Sequence, residues 1–157
     1  MLLLDNLQQL CTEKGVSVAV AESCTAGLIA SKLTALPGSS SFFKGGVIAY
    51  QNEIKTKILG VSQSIIDEKT EVSAEVVKQM AESVLENFDA DFAIATSGYA
   101  GPTGGTDKNP IGTVFIAIAS EQGVVVSRFV FSGNRQSVVN QASETALDLL
   151  YTKIKKQ

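Results

Sequence analysis

The hydrophobic positions along this chain switch repeatedly between helical spacing and short continuous runs, and the switches mark out its elements. From Leu4 to Lys14 the apolar residues Leu7, Leu10 and Cys11 recur at helical spacing, with Gly15 placed to end the helix. The run "VSVAV", Val16–Val20, reads as a strand. After Thr25, the positions Leu28, Ile29, Leu33 and Leu36 favour a second helix, stopped by Pro37 and Gly38. "GVIAY", Gly46–Tyr50, is the second predicted strand. Asn52 then suits the N-cap of a short helix carrying Ile54, Ile58 and Leu59 and ending at Gly60. Ser73 suits the cap of a longer helix whose stripe is Val76, Val77, Met80, Val84 and Leu85. "FAIAT", Phe92–Thr96, is uninterrupted and β-rich, as a buried central strand should be. "TVFIAIAS" and "VVVSRFVF" flank Glu121–Gly123 and form an antiparallel hairpin. From Asn134 onward Val138, Val139, Ala142, Ala146, Leu149, Leu150 and Ile154 return to helical spacing. Strands alternating with helices and then closing in a hairpin predict an α/β fold: a mixed sheet of about five strands with helices on both faces.

Composition narrows the setting. The 157 residues, 45% of them hydrophobic, suffice for one domain, residues 1–157, that needs neither disulfides nor metal. The formal charge is −3 and neither sign collects in a block, which weighs against nucleic acid or a membrane as a partner. Cys11 and Cys24 have no Cys-x-x-Cys spacing, so a reducing, cytoplasmic setting is expected without a zinc site. The opening "MLLLD" has no basic segment before its three leucines and reads as neither signal peptide nor membrane span. No histidine is present, so a Ser-His-Asp arrangement is excluded.

Three connections carry more chemistry than a turn requires: Glu22–Gly27, Tyr50–Lys55 and Ser97–Gly112. Each begins where a predicted strand ends, the edge at which open α/β sheets bind ligands. Ser23 lies between a strand and a helix, so helix-start N–H groups near its hydroxyl would stabilise developing negative charge. The same position equally suits Ser23 or Thr25 as a simple helix cap. Cys24 is intrinsically the stronger nucleophile if ionised, but a small buried cysteine is commonly inert. Lys55, in the first turn of its predicted helix, would have its pKa lowered by the positive end of the dipole, and a neutral lysine can serve a serine as base. Tyr50 could relay that proton or orient the amine, whereas a solvated helix face and a strand-end anchor are the plainer reading of the pair. "SGYAGPTGGTDKNPIGT" runs from strand to strand, so it is neither a dinucleotide fingerprint nor a P-loop, although its backbone could approach an anion. Arg135, opening the last helix, is a candidate phosphate partner through its fork geometry, or an ordinary surface arginine.

Taken together, "AESCTAG", "LPGSSSFFKGGVIAYQNEIKTKILGV", "VSAEVV", "ATSGYAGPTGG" and "PIGTVFIAI" resemble the CinA C-terminal-domain family, whose enzymatic members are nicotinamide-nucleotide amidases. The resemblance runs from about Val18 to Arg135. It implies a three-layer αβα sandwich that hydrolyses the carboxamide of nicotinamide mononucleotide to nicotinic acid mononucleotide and ammonia, with no metal or cofactor. It places the family's serine on Ser23, its tyrosine on Tyr50 and its lysine on Lys55. Cys24, Thr25, Ser39, Ser40, Gly101, Gly104, Gly105 and Arg135 are the expected substrate contacts. The competing reading is a binding module of the same fold that holds a mononucleotide without catalysis. Within the enzyme reading, Cys24 is the alternative nucleophile. One departure is Ala26 where the family usually has glycine: its methyl group could crowd a backbone meant to approach substrate closely, or be harmless if the backbone there is ordinary helix. The resemblance is to the stand-alone form, without a larger N-terminal domain, and implies a homo-oligomer, expected to be a dimer.

Overall fold

The strands of this protein carry two different faces, and the sequence writes them in alternation. In the computed structural model, which describes residues 2–157, the chain forms in order α1 (Leu2–Lys14), β1 (Val18–Glu22), α2 (Leu28–Leu33) and β2 (Phe43–Ile48). There follow α3 (Asn52–Lys57), α4 (Gln63–Lys69), α5 (Ala74–Asn87), β3 (Phe92–Gly98), β4 (Thr113–Ser120), β5 (Gly123–Val130) and α6 (Arg135–Lys155). On one face of the sheet Val18, Val20, Ile94, Val114, Ile116 and Ile118 pack with α1, α2 and α6. On the other, Ala19, Ala21, Ala93, Ala95, Ala117 and Ala119 leave room for Val76, Val77, Met80 and Val84 of α5. Both faces are thus covered, which is why β1 and β4 are buried at every position.

The sheet order is β2-β1-β3-β4-β5. β1 pairs in parallel with β2 and β3, while β3, β4 and β5 run antiparallel in turn. The expected mixed five-stranded sheet with helices on both faces is therefore present, with Phe92–Thr96 at its centre. The carboxyl ends of β1, β2 and β3 share one edge, and the connections from β1 and β3 leave that edge in opposite directions, the usual place for a ligand crevice. Among the described residues no helix is long and apolar enough to cross a membrane.

Several boundaries differ from the sequence expectation, each for a local reason. β1 starts at Val18 rather than Val16: the Val16 N–H still closes α1 on the Cys11 carbonyl, 3.0 Å away, and Ser17 is held by Asp91. It ends on Glu22, a charged residue read as loop. β2 spans Phe43–Ile48 rather than Gly46–Tyr50, so Tyr50 lies beyond the strand; Gly45 and Gly46 mask the signal of the β-forming residues around them. The N-cap of α3 is Gln51, not Asn52. α4 is absent from the sequence reading, being only 7 residues long with no side-chain cap. By contrast, Ser73 caps α5 as expected, accepting from the Val76 N–H at 3.3 Å, and Asn134 caps α6, accepting from the Ser137 N–H at 2.9 Å.

Candidate active site

Strand β1 delivers Glu22 and then a tight loop, Ser23–Gly27, to the shared carboxyl edge of the parallel strands. Glu22 faces the α2 side and is fully buried at 0% exposure. Its Oε1 accepts from the Thr25 hydroxyl at 2.6 Å and the Ile29 N–H at 3.0 Å, and its Oε2 accepts from the Ala30 N–H at 2.9 Å. A carboxylate at the start of a helix is the pairing that the helix's free N–H groups favour. The loop reaches α2 through two consecutive left-handed residues, Ala26 at φ 49° and Gly27 at φ 98°. This corrects two expectations. α2 starts at Leu28, not beside Ser23; the Leu28 N–H donates to the Thr25 carbonyl and those of Ile29 and Ala30 to Glu22. Ala26 is not in ordinary helical geometry.

Ser23 and Cys24 line a small cleft of about 150 Å³ together with Tyr50, Gly98, Tyr99, Ala100, Gly101, Thr103 and Arg135. Larger hollows, of about 570 and 520 Å³, lie away from these residues. Among the described residues the Ser23 hydroxyl has no partner, and the Cys24 and Thr25 N–H groups have no acceptor. Burial pushes the Cys24 thiol up to about 12, so it is un-ionised at neutral pH. That removes the thiolate on which its candidacy as nucleophile depends.

Lys55 is 1% exposed, yet its ammonium has a single hydrogen-bond partner, the Tyr50 carbonyl oxygen at 3.2 Å. Among the described residues no carboxylate lies within ion-pair distance of it. Burial lowers its pKa, partly opposed by the negative charge of Glu71. The cause is therefore desolvation, rather than the dipole of a helix that is only 6 residues long and carries Lys55 at its fourth position. Tyr50 offers Lys55 its main-chain oxygen, not its phenol. The phenol, on a side chain left 54% exposed, accepts from Arg135 Nη2 at 2.7 Å, and Arg135 Nη1 donates to the Gly101 carbonyl at 2.7 Å. Arg135 thus ties the last helix to two walls of the cleft. The expected relay through the Tyr50 hydroxyl to Lys55 is not the arrangement present.

The other expected contacts separate. Gly101 lines the cleft. Gly104 and Gly105 do not: they turn the loop at φ 97° and 82°, packed against Tyr99 and Ile111. Thr25 is turned inward to Glu22 and, at 2.8 Å, to the Thr96 hydroxyl. Ser39 and Ser40 form a 3₁₀ turn that leads into the amino end of β2, at the edge opposite Ser23, so they are not part of this cleft. Sequence reasoning missed Tyr99 and Thr103 in the cleft wall and Glu22 beneath it. For Glu22 the available signal was an acidic residue closing an apolar strand run a few residues ahead of a helix. Among the described residues no three acidic, thiol or imidazole side chains converge as a cation's ligands would.

The sequence model of the CinA C-terminal domain matches residues 2–154. A CinA-like protein of Flavobacterium psychrophilum is 44% identical over 150 residues, covering 96% of this chain and 36% of that protein. A competence-damage inducible protein of Caldicellulosiruptor saccharolyticus is 47% identical over 142 residues, 90% of this chain and 34% of its own length. The chain spans about a third of the length of these curated relatives. Among solved structures, a CinA superfamily protein of Klebsiella pneumoniae superposes with a TM-score of 0.95 at 34% identity, covering 99% of this chain and 97% of the other. A competence/damage inducible protein of Agrobacterium tumefaciens superposes with a TM-score of 0.91 at 33% identity, covering 96% and 94%.

Proposed function

The chain belongs to the CinA C-terminal domain family, and from that premise we propose that it is an amidase hydrolysing the carboxamide of nicotinamide mononucleotide. The observation that carries this reading is Lys55: a buried lysine with no carboxylate partner is costly to keep charged and suited to act as a neutral base. It is joined through Tyr50 to a cleft holding a serine hydroxyl that has no hydrogen-bond partner among the described residues.

In this mechanism Ser23 Oγ attacks the carboxamide carbon while neutral Lys55 receives the hydroxyl proton. The tetrahedral oxygen is held by the unpartnered N–H groups of Cys24 and Thr25. Collapse breaks the C–N bond, the leaving nitrogen takes the proton back from Lys55, and ammonia departs. Water then attacks the acyl-serine ester with Lys55 again as base; the bond from the acyl carbon to Ser23 Oγ breaks, Oγ takes the proton back from Lys55, and the acid is released. Tyr50 holds the amine in place through its carbonyl. Arg135, at the rim, is the candidate partner for the substrate phosphate. No metal or cofactor enters these steps. The reaction calls for a cytoplasmic pool of the nucleotide, consistent with two free cysteines.

Incubation of the purified protein with nicotinamide mononucleotide tests the reading: ammonia and nicotinic acid mononucleotide should accumulate in equal amounts. No release over hours would favour the non-catalytic binding module. Ser23→Ala should lower kcat by several orders of magnitude, as loss of a nucleophile does. Cys24→Ala should retain most activity, because the thiol it removes is not ionised. The opposite pattern would move the nucleophile to Cys24. Nicotinamide riboside, lacking the phosphate, should be the poorer substrate, and equal kcat/KM for the two would argue against a phosphate site at Arg135.

A further inference from the structure

The Ser23 loop is fastened to the sheet from beneath at several points, and none of them faces the cleft. The Ser23 N–H donates to the Thr96 carbonyl at 3.2 Å, and the neighbouring strand β3 also presents the Thr96 hydroxyl to Thr25 Oγ1 at 2.8 Å. Thr25 in turn donates to Glu22 Oε1 at 2.6 Å. Glu22 fastens the far side of the loop through the Ile29 and Ala30 N–H groups of α2. Glu22 and Thr96 are fully buried and Thr25 nearly so, so water cannot substitute for any of these partners. Between the two fastenings lie Ala26 and Gly27, whose left-handed backbone would not hold this shape unaided.

We propose that the side chains of Glu22, Thr25 and Thr96 form a buried clasp that positions Ser23 in the cleft, so that the Thr25 hydroxyl and the Glu22 carboxylate act on the reaction through the loop and do not touch substrate. This rests on the reading of Ser23 as nucleophile. The clasp sets the direction of the Ser23 hydroxyl and the spacing of the Cys24 and Thr25 N–H groups together, because one bend of backbone carries all three. Loss of the Thr25 hydroxyl alone should remove its bonds to the Thr96 hydroxyl and to Glu22 in one step, leaving the Ser23 N–H bond to the Thr96 carbonyl as the loop's tie to β3.

The test compares Thr25→Val, which keeps the shape and deletes the hydroxyl, with Thr25→Ser, which keeps the hydroxyl. Amide hydrogen exchange at Ser23, Ile29 and Ala30 reads the clasp itself, whatever the reaction. Exchange should accelerate in Thr25→Val and stay near wild type in Thr25→Ser. With nicotinamide mononucleotide, Thr25→Val should lose on the order of 100-fold in kcat, the scale of an ångström of misplacement, with KM changed little. Thr25→Ser should restore kcat to within a few-fold. Unchanged exchange in Thr25→Val overturns the clasp, as does a loss confined to KM, which would make Thr25 a substrate contact. If wild type releases no ammonia while exchange still responds as described, the clasp stands and the amidase reading falls. Glu22→Gln, if it folds, should move exchange in the same direction; if it does not fold, the two threonine variants decide.

Discussion

Lys55 is placed where a lysine lowers stability unless it is neutral, and the linkage between its protonation and folding has a definite sign. Burial depresses its pKa in the folded state below the ordinary 10.5. Between the depressed value and 10.5 the unfolded chain therefore binds more protons, and this group makes stability rise with pH. Below the depressed value the cost is fully present, about 1.4 kcal/mol for each pH unit of depression. The thiols act in the opposite sense. Cys24 and Cys11, raised to about 12 and about 11, stay protonated in the fold while the unfolded chain ionises above about 9, so stability falls as pH rises through that range. Comparing Lys55→Met with wild type cancels the thiols. The gain from Lys55→Met should be largest at pH 7 and shrink toward pH 10.5, while ammonia release is lost. A stability difference that does not vary with pH over this window would contradict the buried-amine account. The activity of wild type should itself rise with pH through an apparent pKa below 10.5. Ser23 and Lys55 were legible as candidates from residue type and position, beside plainer readings as a helix cap and a solvated lysine, and the family resemblance is what singled them out. Glu22 and Thr25 were not legible as a pair, since their partners are main-chain N–H groups and a threonine on β3 that only the folded sheet brings near.

At the scale of elements, the loop into α2 and the α5 face of the sheet each depend on side-chain size. Ala26 at φ 49° sits where an L-residue other than glycine is strained by roughly 1–2 kcal/mol. Ala26→Gly relieves that strain but adds unfolded-state entropy worth about 0.4–1 kcal/mol. The net expectation is a stabilisation of up to about 1 kcal/mol in chemical denaturation, with kcat unchanged or higher. Destabilisation by this variant would show that the loop tolerates the alanine without strain. On the α5 face, Ala95 is fully buried among other alanines and the valines of α5. Ala95→Val should therefore cost about 1–3 kcal/mol by overpacking. On the opposite face Ile94→Val, a deletion of one methylene, should cost only about 0.5–1.5 kcal/mol. Equal effects at the two positions would mean that α5 can move away from the sheet. The alternation of small and branched residues in "FAIAT" and "FIAIAS" shows this asymmetry in the sequence once the strands are known. What the pattern could not locate was the end of β1 and the start of β2. Glu22 looked like a loop residue because its partners, the Thr25 hydroxyl and the Ile29 and Ala30 N–H groups, carry no charge that a sequence pattern would mark, and Gly45–Gly46 interrupt the β signal.

At the scale of the whole molecule the sheet divides into a parallel half, which carries the cleft at the ends of β1, β2 and β3, and an antiparallel half that ends in an exposed edge. α6 does not cover that edge, because it lies mainly across β3 and β4. On β5, Val125 and Val130 remain 57% and 51% exposed, and the stacked rings of Phe129 and Phe131, 5.4 Å apart, are only half-buried. An apolar edge strand of this kind invites pairing, and a symmetric partner that uses the same strand twice closes it without leaving a further edge. We therefore expect a homodimer formed through β5, with both clefts open to solvent because they lie on the other half of the sheet. Light scattering at micromolar concentration should give twice the 16.5 kDa mass of one chain. Val125→Lys, a charge on the exposed edge, should shift the mass to that of the monomer without lowering kcat. A wild-type mass near 16.5 kDa would refute the dimer. A dimer unaffected by Val125→Lys would instead move the interface off β5, leaving the glycine-bearing edge at β2 as the other strand able to form it.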